Sequence, residues 1–259
     1  MIVSNAEATD ALQAVQRMME SEGFRINARV SIAVDSKLKF AGYTSGDGKK
    51  QRIVVSGFVI ESGGIALEAL VAHELSHVYR SVSGHPSHNF KLLSETVNSF
   101  ISNKDISFNK EVLFDAINHI EDIYADDVGI NVLLARGESK REFLQLFGQS
   151  LTDWVSETPN SISDYGNNPS RLRWSNASTL LSNSFAIATM ERHQISSPRG
   201  EADAKNEHFL RKLNHHPAQE KFDYFYDFMS TLPEVTTEKE FENNLHDYLN
   251  NFLDTINVI

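Results

Sequence analysis

The sequence predicts an α+β chain in which a helix and a small antiparallel sheet precede a long series of helices. Three observations predict it. β-Branched runs bounded by Gly, Ser and Asp occupy residues 30–60. Apolar residues then switch to helical spacing. From residue 139 to residue 259 helical periodicity dominates, interrupted by polar connections. The expected division is therefore a core over residues 1–138 and a mostly helical C-terminal subdomain over residues 139–259 packed on it.

Taken in order, Asp10 to Glu22 places Leu12, Val15 and Met19 on one stripe, and Gly23 stops the helix. Val30 to Val34 alternates as a strand, Leu38 to Tyr43 is read as a second, and Ser45-Gly46-Asp47-Gly48 as a turn. Arg52 to Ile60, rich in Val and Ile, is read as a third strand, which Ser62-Gly63-Gly64 ends. A helix follows from Ile65 to Ser81, with Leu67, Val71, Leu75 and Val78 as its apolar stripe. The stretch Ser83 to His88 breaks it, and a second, acidic helix spans Glu111 to Leu134. Beyond residue 139, Ser156 to Pro169 reads as a long loop, Pro198-Arg199-Gly200 and Leu232-Pro233 as punctuation, and His215-His216-Pro217 as a helix end.

Composition narrows the function classes. The formal charge of −11 disfavours nucleic acid as the main partner, because phosphate binding needs basic patches. No apolar run approaches the ~20 residues of a membrane span. Met1 to Asp10 lacks the features of a signal peptide, so a cytoplasmic setting without membrane attachment is expected. The chain has no cysteine, so any metal must be held by His and carboxylate.

Such a set is present. His73-Glu74-Leu75-Ser76-His77 lies within the helix that follows the sheet. Two histidines four residues apart share one helical face, one turn apart, and form half of a zinc site. Glu74, next to the first, is placed to take a proton from a metal-activated water without binding the metal. A third ligand is still needed. Position 83, where a third histidine of the HExxHxxGxxH type would fall, is serine. His85 and His88 lie beyond Gly84 in a loop and are candidates for substrate or transition-state contacts. The acidic helix offers more. Asp122 and Asp126 lie one turn apart on its polar stripe, so one can ligate while the other holds the far nitrogen of a ligand histidine. Glu121 sits at the edge of the apolar stripe but has a longer reach. Register favours Asp122, because turning Glu121 inward would rotate Ile117, Ile120 and Tyr124 out of the core. His119 and Tyr124 are candidate oxyanion donors.

With these residues the chain resembles the gluzincin metallopeptidases. Those pair a helical HExxH with a later helix bearing an acidic ligand and, four residues on, an Asp. Here His73 to His77 matches the first element, and Asp122-Ile123-Tyr124-Ala125-Asp126 the second, with aspartate where the family normally has glutamate. The order of elements is similar to the minimal gluzincins and to the catalytic core of M48-type peptidases, over residues 10–135. The resemblance implies a zincin-like core, zinc, and a peptide or protein substrate lying along the edge strand of the sheet. It implies His73, His77 and Asp122 as ligands, with Glu121 as the alternative third ligand, Glu74 as the base and Asp126 as the support of a ligand histidine. Two other readings remain: a zinc hydrolase of non-protein amides, and an inactive metallopeptidase-like binding or regulatory module.

Overall fold

The computed structural model describes residues 2–3, 5–103, 110–135, 137, 140–213 and 215–259. It is an α+β protein and mostly helical. The chain forms two compact units: residues 1–89 with 124–143, and residues 90–123 with 144–259. Residues 138 and 139, where the sequence reading divides the chain, lie outside the described residues. The chain passes between the compact units after Asn89, within the helix Lys110–Leu134 after Ile123, and after Phe143.

The first unit opens with β1 (Ile2–Val3) and α1 (Ala6–Ser21). Asn5 caps α1 by accepting the Ala8 amide at 3.0 Å, and the helix buries Ala8, Leu12, Val15 and Met19. Then come β2 (Arg29–Asp35), β3 (Gly42–Asp47), β4 (Lys50–Ser56), α2 (Gly57–Ser62) and α3 (Gly64–Val82). The sheet order is β1-β2-β4-β3. β4 pairs antiparallel with β3 but parallel with β2. The sheet is therefore mixed, and the expectation of a purely antiparallel one is corrected. The physical reason is burial. Ile53, Val54 and Val55 of β4 are 0–1% exposed. A strand apolar on successive residues needs neighbours and cover on both sides, so it takes the centre. β3 is left as an edge.

The strand bounds also shift. The expected strand over Leu38 to Tyr43 begins only at Gly42, and Ser45 to Asp47, expected as a turn, are strand. The hairpin turns at Gly48 and Lys49, where Asp47 Oδ1 accepts the amides of Lys49 and Lys50 at 3.1 and 2.9 Å. The strand expected to reach Ile60 ends at Ser56, and Gly57–Ser62 is helix. There only Val59 is buried, and tertiary packing overrides the β propensity of Phe58-Val59-Ile60. α1 and α3 pack on each other, α1 against β2 and α3 against β3 and β4.

α5 (Lys110–Leu134) contributes its second half to this unit. Gly129 brings it close to α3: a Cβ there would lie 3.2 Å from Ser76 Oγ and 3.5 Å from the Ala72 carbonyl. Only a glycine allows this approach without displacing Ser76, which sits between His73 and His77 in sequence.

The second unit contains α4 (Phe90–Asn103), the first half of α5, α6 (Lys140–Trp154) from Leu144 on, α7 (Pro169–Arg192), α8 (Arg199–Lys212), α9 (His215–Ser230) and α10 (Glu238–Val258). α4 is not among the elements the sequence reading expects, although Leu93, Val97 and Phe100 have helical spacing and are buried. α7 is the hub, packing on α8, α9 and α10, and it is buried almost continuously from Asn183 to Met190. The Tyr248 hydroxyl donates to the Ala116 carbonyl at 2.7 Å in the interior. His215-His216-Pro217 opens α9 rather than ending a helix. Proline suits a first turn, whose amides have no partner inside the helix. The loop at 155–168 is held by Asn183, which accepts the Ser156 amide and donates to its carbonyl. Among the described residues no helix is long and apolar enough to cross a membrane.

Candidate metal centre

α3 carries His73 and His77 one turn apart, and their rings meet edge to face with centroids 4.7 Å apart. The two Nε2 atoms face each other at 3.1 Å. The far nitrogen of each ring is engaged. His73 Nδ1 lies 2.8 Å from Asp126 Oδ1, and Asp126 is buried. His77 Nδ1 lies 2.8 Å from His88 Nε2. Asp126 thus meets the far nitrogen of His73. His88, considered for a substrate-side place, stands with its Nε2 at the far nitrogen of His77.

The network continues behind His88. His88 Nδ1 is 2.7 Å from Ser87 Oγ, and Ser87 Oγ is 2.8 Å from His85 Nδ1. The Ser87 amide also donates to His85 Nδ1 at 3.3 Å. Burial first, and then the neighbouring His77, holds His88 well below the ordinary histidine range, which favours its neutral form. His85 packs its ring on Tyr124, with centroids 4.5 Å apart.

The protons in this chain can be placed. A backbone amide only donates, so His85 Nδ1 is an acceptor. The Ser87 hydroxyl then donates to it and accepts from His88 Nδ1–H. His88 Nε2 is left as an acceptor, so His77 carries its proton on Nδ1. On the other side, a carboxylate only accepts, so His73 also carries its proton on Nδ1. With both rings neutral, both Nε2 atoms are bare and two lone pairs face each other at 3.1 Å, whereas a second proton on His73 would make the same contact a hydrogen bond. Between two neutral rings a cation would take up both lone pairs. Two nitrogens held at about 2.0–2.1 Å from one tetrahedral ion stand about 3.4 Å apart, close to the spacing here.

Asp122 completes the group. One carboxylate oxygen of Asp122 and one ring nitrogen from each of His73 and His77 all lie within 4.8 Å of one another. Asp122 precedes Asp126 by one turn on the continuous helix α5, so the bond from Asp126 to His73 sets its register. Glu121, the alternative, is not a member of this group. Its carboxyl is pushed up to about 8, by burial first and then by the adjacent Asp122 carboxylate. His119 is directed elsewhere: its Nε2 lies 3.1 Å from Ser182 Oγ, and its ring stacks on Phe185 at 4.9 Å. Burial lowers its pKa, against an opposing pull from Asp122. Tyr124 is fully buried, as a core residue rather than an oxyanion donor.

Glu74 lies against the edge strand. It is 5% exposed, and its Oε2 accepts a hydrogen bond from Thr44 Oγ1 at 2.6 Å. The same hydroxyl lies 3.2 Å from the Glu74 carbonyl. Gly42, two residues earlier on β3, gives the carboxylate room: a Cβ there would lie 2.9 Å from the Val54 carbonyl and 3.4 Å from Glu74 Oε1. Thr44 and Ser87 are site residues that sequence reasoning missed. Neither belongs to a motif, and only the pairing of β3 with β4 and the turn after Gly84 bring them to the site.

The chain belongs to the family described as "Family of unknown function (DUF5781)", whose model matches residues 1–253. No curated protein and no solved structure matches it.

Proposed function

We propose that this protein is a zinc-dependent metallopeptidase of gluzincin-like, zincin-core type. The observation that carries the reading is the convergence of His73, His77 and Asp122, one ligand atom from each lying within 4.8 Å of the others and the two Nε2 atoms 3.1 Å apart. Two nitrogens and one oxygen, with no sulfur, suit zinc in a catalytic site and leave a fourth position for water. Bound there, zinc supplies Lewis acidity, acidifying a water and polarising a carbonyl.

The chain's own residues supply the rest. Asp126 and His88 hold the far nitrogens of the two histidines, fixing the rings and raising their basicity as ligands. Glu74 is the general base. Thr44 engages its Oε2, so Oε1 takes the proton of the attacking water and later delivers it to the leaving amine. β3 is an edge strand beside Glu74, and an extended peptide added to that edge would lie across the site. A cytoplasmic setting accompanies this reading, since the chain has no cysteine to exploit an oxidising compartment.

The test is turnover of a mixed peptide library. Hydrolysis that a chelator abolishes and added zinc restores is the expected result. Zinc binding without peptide turnover would reject the peptidase reading. A smaller effect is expected at Thr44. Thr44→Val removes the donor to Glu74 and keeps the shape. One hydrogen bond to a carboxylate is worth about 1.5 kcal/mol, so kcat should fall roughly tenfold at unchanged zinc content. Turnover equal to wild type would remove Thr44 from the mechanism.

A further inference from the structure

We infer that Ser87 is a tautomer lock for His77: its amide and hydroxyl, acting through His85 and His88, fix the His77 proton on Nδ1 and hold Nε2 bare toward His73. The use of the lock rests on the metal-centre reading, but its geometry does not.

One donor in this hydrogen-bond network cannot reverse. Ser87 sits in a single 3-10 turn, Pro86–His88, capped by His85. Its amide donates to His85 Nδ1, and an amide has no acceptor form. If the chain ran the other way, His85 Nδ1 would carry a proton aimed at that amide hydrogen, and two donors would collide. The direction is therefore imposed at His85 and handed on by the Ser87 hydroxyl, which is fully buried between the two rings' Nδ1 atoms. His88 passes it to His77 through its two ring nitrogens.

The consequence is preorganisation. A neutral imidazole free in water favours its proton on Nε2, and a ligand in that form must shift the proton before it can bind through Nε2. A ring already held in the binding tautomer avoids that step and the loss of rotational freedom that goes with it. Asp126 does this for His73 directly, with a carboxylate. His77 meets the imidazole of His88 at its far nitrogen, a group able to donate or accept. Such a group orients the ring but does not choose the tautomer. Ser87 and His85 make the choice.

Ring-nitrogen NMR of the metal-free protein, together with zinc affinity by chelator competition, tests the lock. In wild type, His77 and His88 should both carry their protons on Nδ1. Ser87→Ala and His85→Ala remove the hydroxyl and the acceptor respectively. In both, the His77 signals should move toward the Nε2–H form, and the zinc Kd should rise about 10–100-fold. His85→Asn is the discriminating variant. It loses the ring and its packing on Tyr124 but keeps an acceptor oxygen at a capping position that asparagine suits. It should bind zinc as wild type does. A metal-free wild type with the His77 proton on Nε2 would overturn the lock, as would Ser87→Ala and His85→Ala binding zinc normally. Equal losses in His85→Asn and His85→Ala would also overturn it, by assigning His85 a packing role. If wild type binds no zinc at all, the metal reading fails and the ring-proton pattern alone decides the lock.

Discussion

Glu74→Gln is expected to lose peptide hydrolysis by about 10²–10⁴-fold while retaining zinc. The separation of the two effects carries the argument. Glutamine matches glutamate in size and can still meet Thr44, since its amide oxygen accepts the hydroxyl that Oε2 accepts in wild type. The helix, the strand and the two histidines should stay in place. Only the ability to take a proton is lost. Glu74 is not in the group of residues that converge on the metal position, so zinc has no reason to leave. Activity close to wild type would remove Glu74 as the base. Loss of zinc would make it a ligand and would require a different account of α3.

The second large effect is expected at the third ligand. Asp122→Asn should weaken zinc binding far more than Glu121→Gln. Adjacent helical residues point about 100° apart, so one helix cannot aim both carboxylates at a single point. The hydrogen bond from His73 to Asp126 fixes the rotation of α5, and Asp122 lies on the same stripe. Ile117, Ile120 and Tyr124 are buried on the other side, 0–1% exposed, and rotating them outward costs roughly 1.5–3 kcal/mol per side chain. Asp126→Asn should show a milder loss of about 10–100-fold, as expected for a residue acting through a ligand. A large loss in Glu121→Gln with near-normal Asp122→Asn would reverse the assignment.

Much of this centre is legible in the sequence, for a simple reason. The spacing of His73, Glu74 and His77 and that of Asp122 and Asp126 lie within single helices, where the period of 3.6 fixes which side chains share a face. The apolar stripe Leu67, Val71, Leu75 and Val78 fixes which face is inward. Contacts made by strand pairing and turns are a different matter. Thr44 reaches Glu74 because β3 lies at the edge beside β4, and the alternation of β3 does not say which neighbour it has. The parallel pairing of β2 with β4 is hidden for the same reason: three successive strands read as a meander until burial of Ile53 to Val55 is known to place β4 in the centre. His88 was visible as a residue type but not in its role, because the turn at Pro86 decides which way its ring points. His119 reads as a neighbour of the acidic cluster by sequence distance, yet its ring packs on Phe185 of α7, 66 positions away in this numbering.

The most direct measurement is elemental analysis of protein purified from zinc-containing medium, alongside His73→Ala. The account predicts about one zinc per chain in wild type, as three ligands and one open position require, and a large loss of zinc in the variant. Wild-type protein without zinc, or a variant carrying as much metal as wild type, would contradict it.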